Sequence, residues 1–292
     1  MLAVSLALAS ALCWGVADFA GGLTSRRLPA AVVLLGQQVA GGLICAAVIV
    51  ATAEALPSGR TVWLSLLAGS AGALALGAFY RALALGTMSI VAPITSSGVI
   101  VPVVVGVASG DRPSVAQALA IPVIFAGVVL ASREAAPEAA AAAPGRTPPP
   151  SGARSAGRTA VILALFAALA FGVYFAVTDT VADDSVLWLL LIGRMAATVL
   201  MTALLVVRPP AVRPAPRDLP GLAAIGGLDL LATGLYALAT TEGLLSIVAV
   251  VGALYPIATV LLARAILGER LRRGQQAGVA LAFAGVAAVA AG

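Results

Sequence analysis

The chain carries little charge and lacks two residue types altogether. It has no lysine and no histidine, only 10% of its residues are charged, and all 17 basic residues are arginines. Without histidine, the chain lacks the side chain that most readily exchanges protons near neutral pH and most often ligates metals. Its two cysteines, Cys13 and Cys45, both lie inside apolar runs, so no disulfide framework is indicated. We predict no metal site and no cofactor.

Apolar residues are unusually frequent in the chain. They account for 61% of the 292 residues, and the mean hydropathy is +1.09. A soluble domain is closer to half apolar and a quarter charged, so one soluble core cannot hide this much apolar surface. In hydrocarbon every backbone N–H and C=O must be paired within the protein, which leaves helices or a closed barrel. The runs are near 20 residues long and do not alternate with period two, so the sequence predicts an all-α membrane protein.

Ten apolar runs have the length of a transmembrane helix. We expect the first to be a spanning helix rather than a signal peptide, because it is long and has no basic start. The ten predicted spans are residues 2–23, 29–53, 62–80, 89–107, 114–131, 160–177, 186–206, 219–239, 244–263 and 274–291.

One segment interrupts this pattern and divides the chain. Residues 133–158 are rich in alanine, proline and glycine, a composition that cannot build a core and that predicts a disordered linker. The predicted organisation is therefore a first five-helix repeat at 1–132, the linker at 133–158, and a second five-helix repeat at 159–292.

The two halves resemble each other in sequence. Residues 86–92 match 243–249, and Gly110-Asp111-Arg112 matches Gly268-Glu269-Arg270. Phe79 falls opposite Tyr236, and Gly36-Gln37 falls opposite Gly193-Arg194, at a spacing of 157 residues that becomes 158 later in the chain. Because each half has an odd number of helices, the second must cross the membrane in the opposite sense. Inverted repeats are a recurrent architecture of transporters, with the substrate site near the midplane where the repeats meet.

Arginine counting predicts an orientation. Thirteen arginines lie in the odd-numbered connections between spans, and only Arg60 and Arg112 lie on the other face. Basic loops remain in the cytoplasm, so this count places the linker in the cytoplasm and both termini outside the inner, or cell, membrane. The arginines are explained as loop charges, and no nucleic-acid partner is predicted.

This pattern resembles the EamA family of the drug/metabolite transporter superfamily over nearly the whole chain outside the linker. The most specific stretch runs from Leu244-Leu245-Ser246 through Tyr255-Pro256 to Gly268-Glu269-Arg270. The first-half copy departs from it, with Asp111 in place of the glutamate. The resemblance implies a ten-helix secondary carrier, often an exporter of amino acids, metabolites or drugs. It also implies that both termini are cytoplasmic, which conflicts with the arginine count.

Polar and charged side chains inside the spans are expensive in hydrocarbon and are therefore candidates for function. Asp18 and Asp229 are the candidates for proton coupling, and Arg194 is a candidate for holding a substrate carboxylate. Aromatic and amide groups on the same helices would complete a substrate site. The predicted substrate-binding residues are Trp14, Gln37, Tyr174, Arg194, Tyr236 and Tyr255.

Each candidate also has a structural interpretation. Asp18 and Arg194 would form a buried ion pair, and Asp229 would lie close enough to its helix end to reach the interface. The Gly-Glu-Arg element would place a carboxylate at the positive end of a helix dipole.

The favoured function is a secondary active transporter, more specifically an exporter of a small metabolite, an amino-acid-like compound or a drug, with proton coupling as a further hypothesis. Alternatives are a lipid-carrier flippase component or a non-transporting membrane subunit. No constellation of nucleophile and base appears, so an enzyme is not predicted. The predicted partners are a small molecule and the lipid bilayer, with either a monomer or a homodimer as the assembly.

Overall fold

The computed structural model describes residues 1–25, 27–85, 91, 94–132, 151–210, 212, 214–267 and 273–291. These residues form helices and connections, which confirms the predicted all-α class. The helices are α1 (Leu2–Thr24), α2 (Ala30–Thr52), α3 (Gly59–Leu85), α4 (Ile100–Ser109), α5 (Val115–Ser132), α6 (Ser151–Ala182), α7 (Val186–Val207), α8 (Leu219–Thr241), α9 (Leu245–Gly252), α10 (Tyr255–Leu267) and α11 (Arg273–Ala291).

The helices account for ten apolar segments at the ten predicted places. Eight segments are long and apolar enough to cross a membrane, and two shorter apolar segments, Ile94–Ser109 and Val115–Ala131, complete the set. Large apolar side chains cover the outside of the bundle: Leu43, Val50, Trp63 and Val199 are each at least 67% exposed. A surface of this kind is stable against lipid rather than water.

The fourth and ninth segments are not continuous α-helices, although each was predicted as one run. A 3₁₀ turn at Ser97–Val99 precedes α4, and the ninth segment breaks between Gly252 and Tyr255. Pro256 explains the second break, because its ring has no N–H and clashes with the carbonyl four residues earlier. Both breaks lie inside the bundle, because Gly98 and Val99 at the first and Gly252 and Leu254 at the second are buried.

Two features predicted from the sequence lie wholly or mostly outside the described residues. The predicted linker 133–158 lies mostly outside the described residues, but α6 begins at Ser151, directly after Pro150, so its last eight residues are helical. This part of α6 is continuous with the span that follows. The matched stretches 86–90 and 268–270, including the Gly-Glu-Arg element, also lie outside the described residues.

The two halves pack against each other through equivalent pairs of helices. α3 lies against α6 in the way that α8 lies against α1, and α3 against α7 in the way that α8 lies against α2. The pair α5 and α11 and the pair α2 and α7 each join a helix to its own counterpart. The sequence repeat is therefore also a repeat of packing.

Glycines at equivalent positions make a further pair of contacts, between α1 and α10 and between α6 and α4. A Cβ at Gly15 would collide with Ala258, and a Cβ at Gly172 would collide with Val101. Both residues of the second contact are 157 positions from their counterparts in the first. Small residues let membrane helices approach closely, so the same device serves both halves.

Candidate functional site

A cavity of about 620 Å³ lies in the middle of the bundle between the two halves. We call the side of the bundle that carries the α1–α2, α3–α4, α5–α6, α7–α8 and α10–α11 connections the arginine-rich face, and the other side the arginine-poor face. The lining reaches the arginine-rich face at Ser25, Ala30 and Gln275, which lie at helix ends. Its deep end is formed by the buried residues Ala68 and Leu189.

Polar contacts tie the helix ends together at the arginine-poor face. Asp184 binds Arg60 at 3.2 Å, the indole of Trp188 donates to the Ala55 carbonyl at 2.6 Å, and Ser185 donates to Glu54 at 3.1 Å. These contacts join the α2–α3 connection to the α6–α7 connection. The structure is therefore open toward the arginine-rich face and closed toward the other.

Asp111 closes the same face at a second place. Its carboxylate accepts the backbone N–H of Ser246 in the first turn of α9, with a distance of 2.8 Å. The helix has no side-chain cap of its own, because Leu244 occupies the capping position. A carboxylate favours the positive end of a helix, so Asp111 from the first half caps a helix of the second half. The Gly-Asp-Arg element therefore has a structural role that joins the halves.

Arg194 and Asp229 form an ion pair beside the cavity. The Arg194 guanidinium donates to the Asp229 carboxylate at 2.9 Å and to the Gln38 side-chain oxygen at 2.9 Å. Arg194 is only 5% exposed, and Gly41 leaves the space that its guanidinium occupies. The pair joins α2, α7 and α8.

Two structural interpretations from the sequence are wrong. Arg194 pairs with Asp229 rather than with Asp18, since α8 and not α1 supplies the carboxylate that faces it. Asp229 does not lie near a helix end, because it is the eleventh of the 23 residues of α8. Sequence spacing within one helix could not reveal which of the two aspartates an arginine on another helix would meet.

Asp18 lines the cavity without a counterion. Within the described part of the chain it makes no hydrogen bond and no ion pair, and its side chain is exposed to the cavity. One turn earlier, Trp14 contacts three other rings: the centroid distances are 5.7 Å to Phe175, 5.7 Å to Tyr236 and 6.3 Å to Tyr255. The cavity therefore combines one free carboxylate with an aromatic wall.

The structure brings most of the predicted site residues together. Seven of the eight line the cavity: Trp14, Asp18, Gln37, Tyr174, Arg194, Asp229 and Tyr255. Tyr236 does not line it. Tyr236 is 1% exposed and packs behind Trp14 and Phe175, and its hydroxyl has no hydrogen-bond partner among the described residues.

Sequence reasoning missed several lining residues. Gln38, rather than its predicted neighbour Gln37, is the amide that binds Arg194. Phe171 and Phe175 also line the cavity. The 157-residue spacing would have found both, because it places them opposite Trp14 and Asp18.

The fold and the cavity define a class of protein: a multi-pass membrane protein that encloses a polar space between two related halves. The chain matches the model of the EamA-like transporter family over residues 1–133 and 158–291 and belongs to that family. It is therefore a membrane transporter of the drug/metabolite transporter superfamily, as the sequence resemblance indicated.

A solved structure has the same fold. The chain is similar to a protein whose structure is titled "Crystal structure of protein", with a TM-score of 0.78 and 17% sequence identity. The likeness covers 99% of this chain and 98% of that one. No curated protein matches the chain.

Proposed function

We propose that this chain is a secondary active transporter of the cell membrane that exports a small amine, an amino-acid-like compound or an amine drug by alternating access. The observation that carries the proposal is the cavity between equivalent helices, which reaches one face and is closed toward the other. Two five-helix repeats of opposite orientation, at 1–132 and 159–292 with the connecting segment between them, would allow the opposite state.

The charges of the cavity support a substrate with a positive group. Among the described lining residues Arg194 is paired with Asp229, which leaves the carboxyl group of Asp18 as the acidic group without a counterion. A carboxylate that is not paired in a low-dielectric site favours a cation or a proton. The rings of Trp14 and Tyr255 add faces on which an ammonium group is stabilised.

The two aspartates then have different roles. Asp18 is proposed to hold either a proton or the ammonium group of the substrate, and this competition would couple export to proton uptake. Asp229 holds Arg194 in place, and Gln37, Tyr174 and Tyr255 complete the wall of the site. The carboxylate of an amino-acid-like substrate would compete with the Asp229 carboxylate for the guanidinium of Arg194.

The test uses proteoliposomes with an internal pH dye and a panel of metabolites and drugs. We expect an amine to drive proton movement in the wild type, and Asp18→Asn to abolish this movement. Glu242→Gln is the matched control, because Glu242 is an exposed carboxylate away from the cavity. Asp229→Asn should impair transport together with stability.

Two other outcomes would contradict parts of the proposal. If amines cross without proton movement, the carrier stands and the coupling role of Asp18 is wrong. If the folded protein moves no compound on a broad panel, the alternative of a lipid-carrier flippase component or a non-transporting subunit becomes the leading one.

A further inference from the structure

A group of polar side chains on the closed side of the aromatic wall has no role in the cavity described above. Asp179 lies on α6 one turn beyond Phe175 and interacts with Thr240 of α8, and its charged neighbours are Asp111 and Asp183. None of these three carboxylates belongs to an ion pair in the part of the chain that the structure describes. Sequence reasoning overlooked Asp179 because the predicted sixth span ended at residue 177.

Two buried hydroxyls in this region have no hydrogen-bond partner. The Tyr236 hydroxyl is fully buried and is an electrostatic neighbour of Asp179. The Ser246 hydroxyl is also fully buried, on the residue whose backbone N–H Asp111 accepts. An unsatisfied buried hydroxyl costs about 1–3 kcal/mol, so such groups call for an explanation.

The internal repeat supplies that explanation. The counterpart of Tyr236 is Phe79 and that of Asp179 is Gly22, both at a spacing of 157 residues. Phe79 and Gly22 line the open part of the cavity toward the arginine-rich face. If the halves exchange conformations, Tyr236 and Asp179 come to line the equivalent space toward the arginine-poor face.

We propose that Asp179, Tyr236 and Thr240 form a second cation-binding site, which becomes accessible from the arginine-poor face when that face opens. The two vestibules would then differ in charge, because the site on the arginine-rich side has Gly22 where this one has Asp179. The described residues hold no acidic cluster close enough to ligate a metal ion. The site therefore takes the ammonium group of an organic cation, and it rests on the proposed function because it needs alternating access.

The test measures the charge preference of this vestibule directly. Tyr236→Cys is introduced into a background in which Cys13 and Cys45 are replaced by alanine. Membrane vesicles are treated from the arginine-poor face with methanethiosulfonate reagents of similar size, one cationic and one anionic. We expect the cationic reagent to react at least about tenfold faster, since a vestibule of one sign concentrates counter-ions. Adding Asp179→Asn should reduce this ratio toward one.

The control is Ser25→Cys, at the cavity mouth on the arginine-rich face, whose rates should not respond to Asp179→Asn. Reaction at Tyr236→Cys without a charge preference, or with one that survives Asp179→Asn, would overturn the second cation site while leaving alternating access intact. No reaction at Tyr236→Cys from this face, while Ser25→Cys reacts from its own, would overturn both. Size-exclusion profiles of the purified variants establish that the reacting protein is folded.

Discussion

The two halves of this transporter share one scaffold but contribute different chemistry to the cavity. At equivalent positions the first half supplies Gln37 and Gly72, and the second supplies Arg194 and Asp229. The packing residues are alike where helices touch, and the lining residues differ where a substrate would lie. The repeat therefore preserves the packing of the helices, whereas the differences between the halves change the chemistry of the cavity.

The two halves also differ in their charged side chains. Asp18 of the first half has Phe175 as its counterpart, so one pair of equivalent positions contributes a carboxylate and an aromatic ring to the same cavity. The Arg194–Asp229 ion pair of the second half joins three helices, whereas the Asp18 carboxylate of the first half makes no hydrogen bond or ion pair with the described residues. Replacing Arg194 or Asp229 should therefore lower the stability of the protein, and replacing Asp18 should impair transport.

The largest expected effect comes from breaking the ion pair. Arg194→Met leaves Asp229 without its counterion in the bundle, and we expect the protein to lose about 3–5 kcal/mol of stability. The measurement is denaturant unfolding in detergent. Arg194→Met combined with Asp229→Leu should recover most of the loss, and a double variant as unstable as the single one would contradict this assignment.

The next effect tests the shared packing of the halves. Gly15→Ala and Gly172→Ala place a methyl group against Ala258 and Val101, and each should cost about 1–3 kcal/mol. Gly77→Ala is the matched control, because nothing lies within 4 Å of the added methyl group. Thermal unfolding of the three variants should show similar losses for the first two and none for the third. A large difference between Gly15→Ala and Gly172→Ala would break the equivalence of the contacts.

A smaller effect should distinguish Trp14 from Phe171, the aromatic residue at the equivalent position of the second half. Trp14 contacts Phe175, Tyr236 and Tyr255, so Trp14→Ala should weaken the binding of an amine substrate by about 1–2 kcal/mol, or roughly tenfold in KM. Phe171→Ala should change KM less. The opposite order would mean that Phe171, rather than Trp14, is the cation-binding ring of this pair.

The smallest expected effect concerns the cap that joins the halves. Asp111→Asn keeps a hydrogen-bond acceptor but removes the negative charge at the start of α9, so we expect about 0.3–1 kcal/mol of lost stability. The same change should increase the reactivity of Tyr236→Cys from the arginine-poor face, because it weakens the closed arrangement. Unchanged reactivity would show that the Asp111 contact does not hold that face closed.

Much of the fold could be predicted from the sequence for physical reasons. Hydrocarbon forces the backbone into helices, so span lengths and the repeat at 157–158 residues predicted ten apolar segments at their observed places. The sequence contained Pro256 but did not predict a break in the helix there, because a proline does not always interrupt a membrane helix. The start of α6 at Ser151 was missed because composition alone suggested a disordered segment.

The sequence predicted which side chains belong to the site, but not which of them pair with each other. Expensive side chains inside spans pointed to Asp18, Arg194 and Asp229, which all line the cavity. Which carboxylate faces Arg194 depends on how α7 and α8 pack, and periodicity within one helix does not contain that information. Tyr236 lies two turns after Asp229 on α8, yet its side chain packs behind the aromatic wall and does not line the cavity.

The central claim is that Asp18 makes the cavity a site for cations. The most direct measurement compares the transport of three ring compounds of the same size, one cationic, one neutral and one anionic, in proteoliposomes containing wild type, Asp18→Asn or Glu242→Gln. We expect wild type and Glu242→Gln to transport the cation best, and Asp18→Asn to lose this preference. Preferential transport of the anion, or a cation preference that Asp18→Asn leaves unchanged, would contradict it.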